Sequence, residues 1–349
     1  MQDEQVHGPE LGLKTKRLQA DDAGGVAQAA ELLRAGGTVA FPTETVYGLG
    51  ANALDSAAVA KIFLAKQRPS WDPVIVHVEG RVMLERVAEL PSGDEGRVIA
   101  RLMEAFWPGP LTLLLPRTAA VSDLVTAGRP LVGVRSPSHP VARELIRLAG
   151  VPVAAPSANR FGHTSPTTAA HVLADLDGRI DAVLDGGATS VGVESTVLDV
   201  AARAIYRPGA VTAAMLSQVI GDEVRVVVAA SVEENEPKAL ASPGMGMRHY
   251  APRARLMLVE GQEELLREVA NYSAMEVGVM LPDEWDAGRA GVVWRWGPWK
   301  DAETLARLLF AGLRELDECG VKAIVCPVPE MGGLGEALRD RLEKAAKAE

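Results

Sequence analysis

Short apolar strand patterns alternate with amphipathic helical patterns along most of this chain, so whatever it folds into must be a sheet with helices packed on it. Residues 21–34 read as a helix. Asp21 and Asp22 stand where caps belong, Val26, Ala29, Ala30 and Leu33 share one face, and Gly36 and Gly37 end it. Residues 38–41 form a short buried strand that runs into Pro42. Further helices are expected at 56–66, 84–90, 98–106, 140–149 and 167–176, and strands at 73–78, 111–115, 131–135, 151–155 and 182–185. Segments 195–200 and 204–207 read as a closing antiparallel pair.

The periodicity stops over 231–252, where acids, Pro, Gly and Met suit a linker or an ordered loop. Strand patterns at 254–259, 276–280 and 323–327 then alternate with helical ones at 263–271, 302–319 and 334–346, the mark of a parallel, doubly wound unit. A length of 349 residues fits two domains. The expected division is 16–207 for the first, 208–253 for a connecting segment and lid, and 254–349 for the second.

Composition narrows the function. Aromatic residues make up only 4%, so the cores must be aliphatic. No apolar run approaches the ~18 residues of a membrane span. The first 17 residues hold no apolar signal-like core, so a cytoplasmic protein with a frayed polar leader to about Leu13 is expected. Cys319 and Cys326 are too few for a disulfide framework or a cysteine-rich zinc module, and both read as buried free thiols. The net charge is −10. Residues 16–207 carry 19 Lys+Arg against 20 Asp+Glu, and those beyond 207 carry 16 against 23, so neither part has the basic excess that grips bare RNA.

Several motifs are missing: there is no P-loop, no G-x-G-x-x-G after the first strand, no H-E-x-x-H and no G-x-S-x-G. What stands out is Pro42-Thr43-Glu44-Thr45-Val46-Tyr47-Gly48-Leu49-Gly50. Its hydroxyls and glycine-spaced backbone could cradle an anion, or the glycines could simply serve a strand-ending turn that needs positive φ. Lys66 and Arg68, two apart in an extended segment, could reach one anion together. His77 lies on a strand, on the face opposite Val74, Val76 and Val78, where a hydrogen-bonded strand histidine is the simpler reading.

Ser165 reads as a helix N-cap with Pro166 at the first helical position. That arrangement would point free N–H groups at a phosphate, with Ser157 and Asn159 lining the same cleft. Arg135, Ser195 and Arg207 stand at further strand ends, and two arginines there suit a polyanion.

In this order, the Pro42–Gly50 stretch, Lys66-x-Arg68-Pro69, His77-Val78, Gly133-Val134-Arg135, Pro156-Ser157-Ala158-Asn159, Ser165-Pro166-Thr167, Glu194-Ser195-Thr196-Val197 and Arg207-Pro208-Gly209 together resemble the threonylcarbamoyl-AMP synthase family. Residues 242–252 resemble the linker of that family's long form. The resemblance implies an α/β fold: a YrdC-like twisted mixed sheet with flanking helices, followed by a smaller Rossmann-like parallel domain. It implies synthesis of L-threonylcarbamoyl-adenylate and pyrophosphate from L-threonine, bicarbonate or CO2, and ATP, toward N6-threonylcarbamoyladenosine in tRNA.

By motif position, Thr43, His77, Arg135, Ala155 and Ser195 would hold threonine. Lys66, Arg68, Asp72, Ser157, Asn159, Ser165, Arg207 and Tyr250 would hold ATP, with Lys66 and Arg68 the catalytic pair. Mg²⁺ would arrive with ATP, no protein metal site is expected, and a downstream threonylcarbamoyl-transferase complex would receive the product. His249 and Tyr250 would help close the cleft. Two positions depart from the family pattern: Asp72, where an asparagine is usual, and Gly246-Met247, where a basic–aromatic pair is usual. Rival readings are a non-catalytic RNA-binding module, disfavoured by the charge, and a carbamoyl-adenylate-forming carbamoyltransferase, whose relatives carry cysteine-rich zinc modules.

Overall fold

The computed structural model describes residues 12–227 and 249–347. Most of the linker, including Gly246 and Met247, therefore lies outside the described residues. The first domain begins with β1 (Lys16–Gln19), α1 (Gly25–Arg34), β2 (Val39–Pro42), β3 (Tyr47–Asn52), α2 (Ser56–Lys66) and β4 (Val76–His77). It continues with α3 (Arg81–Leu84), α4 (Gly93–Phe106), β5 (Leu111–Pro116), α5 (Asp123–Thr126), β6 (Leu131–Arg135) and α6 (Pro140–Ala149). It closes with β7 (Val153–Ala154), α7 (Ala169–Leu176), β8 (Ala182–Asp185), β9 (Thr196–Asp199), β10 (Ala204–Arg207), α8 (Ala213–Ile220) and β11 (Arg225–Val226).

These strands form one mixed sheet in the order β1-β8-β2-β3-β7-β4-β6-β5-β9-β10-β11. Alternation along each strand feeds two cores. Val39 and Phe41 face one side with α1 and α6, while Ala40 faces the other with α2 and α7.

The second domain comprises β12 (Arg255–Val259), α9 (Gln262–Val269), β13 (Val277–Leu281), β14 (Val292–Arg295), α10 (Ala302–Glu318), β15 (Ala323–Pro327) and α11 (Leu334–Ala346). Its four strands are all parallel, in the order β12-β15-β13-β14. Val325 packs toward α9, whereas Ile324 and Cys326 pack toward α10 and α11, so helices cover both faces.

Several elements differ from the sequence reading. Asp21 and Asp22 do not cap α1, because the chain enters it through Gly24 at φ 99° with no side-chain cap. The glycine-spaced Tyr47–Gly50 stretch is a strand, antiparallel to β2. Its glycines serve close packing: a Cβ on Gly50 would stand 2.7 Å from the Phe41 ring and 2.8 Å from Val153. The expected strand at 73–78 shrinks to two residues, since Pro73 has no N–H and the Val74 N–H goes to Val125 O. Elements β1, α5, α8, β11 and β14 are not among those expected from the sequence. Because β11 pairs with β10 in the first sheet, that sheet runs past residue 207, to 226. Cys319 is exposed; only Cys326 is buried.

The domains dock through α10 and α11. Arg314 on α10 pairs with Asp175 of α7 at 2.8 Å and donates to Thr164 O at 2.5 Å. Val46 and Val193 of the first domain share a core with Tyr250, Trp296 and Phe310. Gly192 sits at φ 84° against α10, and a Cβ there would meet Ala306 O at 2.3 Å and Arg307 Cα at 2.4 Å. Gly192→Ala should therefore destabilise the protein by about 1–3 kcal/mol and loosen the docking. Chemical denaturation with limited proteolysis reads both effects, and an unchanged midpoint would show that the backbones need not approach so closely.

Candidate active site

The site begins at the turn between β2 and β3. Thr43 Oγ1 donates to Val46 O at 2.7 Å and accepts from the Thr45 N–H at 3.2 Å, so one hydroxyl closes the turn. The Thr43 and Thr45 hydroxyls lie 2.8 Å apart. Arg135, at the end of β6, donates from Nη1 to Thr45 Oγ1 at 2.9 Å and pairs with Glu44 at 2.8 Å. The Val191 and Gly192 N–H groups bond the Glu44 and Thr45 carbonyls, anchoring the turn from the other side.

A second wall follows β7. Ala155 and Ser157 lie against β3: the Leu49 N–H bonds Pro156 O, and the Ala158 N–H bonds Tyr47 O. A Cβ at Gly48 would stand 3.2 Å from that of Ala155, so only glycine admits this wall so close. The third wall is Ser195, whose Oγ lies 2.8 Å from Thr112 Oγ1 and accepts from Arg207 Nη2 at 3.1 Å. His249 and Tyr250 complete the enclosure, with their rings 4.3 Å apart. Tyr250 holds φ 65°, a strained value for a residue with a Cβ.

Nine of the residues expected in the site line this cavity: Thr43, Arg68, His77, Arg135, Ala155, Ser157, Ser195, Arg207 and Tyr250. Thr45, Gly48, Glu194 and His249 line it as well. Four expected residues do not. Lys66 lies beneath the second wall, its Nζ donating to Ser157 O and Asn159 O at 2.5 Å each. Asn159 is fully buried and donates to Arg160 O and His163 O. Asp72 forms a buried pair with Arg68 at 2.9 Å.

Ser165 is not a helix cap; Thr168 caps α7, accepting from the His171 N–H. Ser165 donates instead to Glu194 Oε1 at 2.5 Å. The Pro166 carbonyl is already engaged by the Tyr47 N–H, which holds this stretch extended along β3 and delays the helix. Glu194 stood beside the expected Ser195 in sequence, but its bonds to Ser165 and to Arg341 of α11 span 29 and 147 residues, and no local pattern reports such pairs.

Electrostatically the cavity suits anions. Its lining holds three guanidinium groups, those of Arg68, Arg135 and Arg207, and one carboxylate, that of Glu194. Burial, and after it the neighbouring Arg68, hold the Lys66 amine well below its usual range. Arg68 also lies 5.9 Å from the centre of the Phe161 ring. The cavity measures about 50 Å³, room for a few waters. Sites for drug-sized ligands run to ~300 Å³ or more, well above this volume. Among the described residues no group of three or more His, Cys, Asp or Glu side chains is placed to hold a metal ion. No described helix is long and apolar enough to cross a membrane.

The fold and cavity define a two-domain α/β protein with three arginines around one cavity. Comparison with known proteins carries the identification further. A family profile described as "Telomere recombination" matches residues 31–209, and one described as "Threonylcarbamoyl-AMP synthase, C-terminal domain" matches 211–347. Threonylcarbamoyl-AMP synthase of Pyrococcus abyssi is 43% identical over 91% of this chain and 93% of its own length. That of Bacillus subtilis is 44% identical over 92% of each chain. A crystal structure of P. abyssi Sua5 complexed with L-threonine superposes with a TM-score of 0.84 at 40% identity, covering 95% of this chain and 97% of that one. This chain belongs to the threonylcarbamoyl-AMP synthase family.

Burial, reinforced by Arg135, pushes His77 down to about 3, so it is neutral in the folded protein from neutral pH to well below 5. In the unfolded chain it would take up a proton below about 6.5. Its contribution to stability is thus fully present above that value and is lost as the pH falls toward 3, by up to about 1.4 kcal/mol per pH unit. Urea unfolding at pH 7 and pH 4.5 should show a smaller acid loss for His77→Gln than for the wild type. Equal losses would mean that His77 is protonated in the fold.

Proposed function

We propose that this protein is an L-threonylcarbamoyladenylate synthase, joining L-threonine, bicarbonate or CO2, and ATP with release of pyrophosphate and water. The reading is carried by the end-to-end likeness to a protein solved with L-threonine, together with a cavity lined by three arginines and by the hydroxyl-bearing Thr43 and Thr45. In the first step the threonine nitrogen bonds the carbon of bicarbonate and water leaves, giving a carbamate. A carbamate oxygen then attacks the α-phosphorus of ATP, the bond to the bridging oxygen breaks, and pyrophosphate departs with the electron pair. No covalent enzyme intermediate is needed. The protein's task is to position anions and to stabilise the charge that spreads over the phosphorus.

Arg135 is the natural partner for the threonine carboxylate: its bonds to Thr45 and Glu44 keep the guanidinium aimed before substrate arrives. Thr43, Ala155 and Ser195 shape the same end, and neutral His77 offers a ring nitrogen without charge. Arg68, Ser157, Arg207 and Tyr250 are assigned to the nucleotide end. Lys66 and Asn159 serve it from beneath, fixing the 157–159 wall, while Asp72 holds Arg68 and Ser165 holds Glu194. Magnesium enters as part of the ATP substrate, held by phosphate oxygens and water. His249 and Tyr250, which close the cavity, are the wall that moves to admit ATP, and their return shields the labile carbamate. The adenylate then passes to a downstream transferase that modifies tRNA, and no tight binding of bare tRNA is expected.

Pyrophosphate release, measured with threonine and bicarbonate omitted in turn, should require both; release indifferent to threonine would sink the assignment. Arg68→Ala should lower turnover by about 100-fold. It should also lose about 3–5 kcal/mol of stability, because Asp72 is left buried and unpaired. Arg68→Ala/Asp72→Asn should regain stability but not turnover. If turnover returns with stability, Arg68 is only structural.

A further inference from the structure

Residues of the second domain back several residues that line the cavity, and Arg341 touches two of them. Arg341, on the inward face of α11, is 1% exposed. Its Nε donates to Glu194 Oε2 at 2.8 Å and its Nη2 to the Glu194 carbonyl at 3.4 Å. Its guanidinium lies 5.3 Å from the centre of the Tyr250 ring. Asp340 accepts from Nη1 at 2.5 Å and also pairs with Lys344 at 2.7 Å, so the arginine is oriented from behind. Two cavity-lining residues, Glu194 and Tyr250, are thus gripped by one residue of the other domain.

The chemistry makes this grip consequential. Glu194 is the one carboxylate among the cavity-lining residues, and Ser165 and Arg341 occupy its two oxygens. A bare carboxylate there would repel the phosphates of a nucleotide; paired, it is nearly silent. Burial alone would raise its carboxyl, yet Arg341, with Arg207 after it, holds it below the usual range, so the acid stays ionised and paired.

We propose that Arg341 is a positioning residue for the reaction: from the second domain it masks Glu194 and seats Tyr250, so that the cavity can accept a polyanion. This rests on the reading of the cavity as an ATP site. It assigns the second domain a part in substrate binding.

The test is calorimetric titration of the full chain with Mg-ATP, without threonine or bicarbonate. Arg341→Met keeps the volume and loses the charge, and should weaken ATP binding by about tenfold or more, about 1.4 kcal/mol. Arg341→Lys should stay within about threefold of the wild type. The decisive arm is Arg341→Met/Glu194→Gln: with the acid gone the arginine is dispensable for masking, and most of the lost affinity should return. An Arg341→Met protein that binds ATP like the wild type would overturn the proposal. So would a loss that Glu194→Gln fails to reverse, or a double variant that does not fold, since either makes Arg341 a purely structural residue. A wild type that binds ATP but shows no threonine-dependent pyrophosphate release would sink the proposed reaction and leave this comparison standing.

Discussion

The hydroxyl of Thr43 closes the turn between β2 and β3, and much of the molecule is arranged around that short segment. By bonding the Val46 carbonyl it commits Tyr47–Asn52 to run back along β2 as a strand. The outward carbonyls of Glu44 and Thr45 are then free to take the Val191 and Gly192 N–H groups. That contact brings Gly192 against α10 and carries the second domain to its seat. The same turn offers Thr45 and Glu44 to Arg135. A local side-chain bond thus sets the sheet pairing, the docking of the domains and one end of the cavity.

The cavity illustrates how a protein keeps charges buried without losing the ability to use them. Each arginine that faces it has a standing set of partners: Arg68 has Asp72 and two backbone carbonyls, Arg135 has Glu44 and Thr45, and Arg207 has Ser195. Unpaired, such groups would be prohibitively expensive at 7% exposure or less. Paired on one side, they are held in fixed orientations that an anionic substrate meets without reorganisation. Lys66 shows the limit of this arrangement, since both of its short bonds go to the wall and none to the cavity.

Much of the architecture was legible in the chain itself. Helices at 56–66 and 140–149 and strands at 131–135, 182–185 and 323–327 fall where the patterns put them, because their caps and periodicity are local properties. Misreadings occurred where a distant partner outweighed a local preference. Ser165 has every local mark of a helix cap, but Glu194 takes its hydroxyl and β3 takes the Pro166 carbonyl. The glycines of Tyr47–Gly50 suggested a loop, although they are there to let Phe41, Val153 and Ala155 approach. The edge strand β14, only four residues long and half-exposed, is missed in the sequence and is fixed by its pairing with β13.

The sequence by itself determined the alternating α/β plan, the two domains, the family and most of the residues around the cavity. These follow from periodicity, capping and ordered motifs, all properties of neighbours in the chain. Only the tertiary structure decided which residues face the cavity and which support it from behind. It moved Lys66, Asp72, Asn159 and Ser165 into the walls, and brought Glu194 and the second domain's Arg341 into contact. The reason is physical: a buried polar or charged group takes the nearest partner in space, and for Lys66, Ser165, Glu194 and Arg341 that partner lies 29 to 147 residues away along the chain.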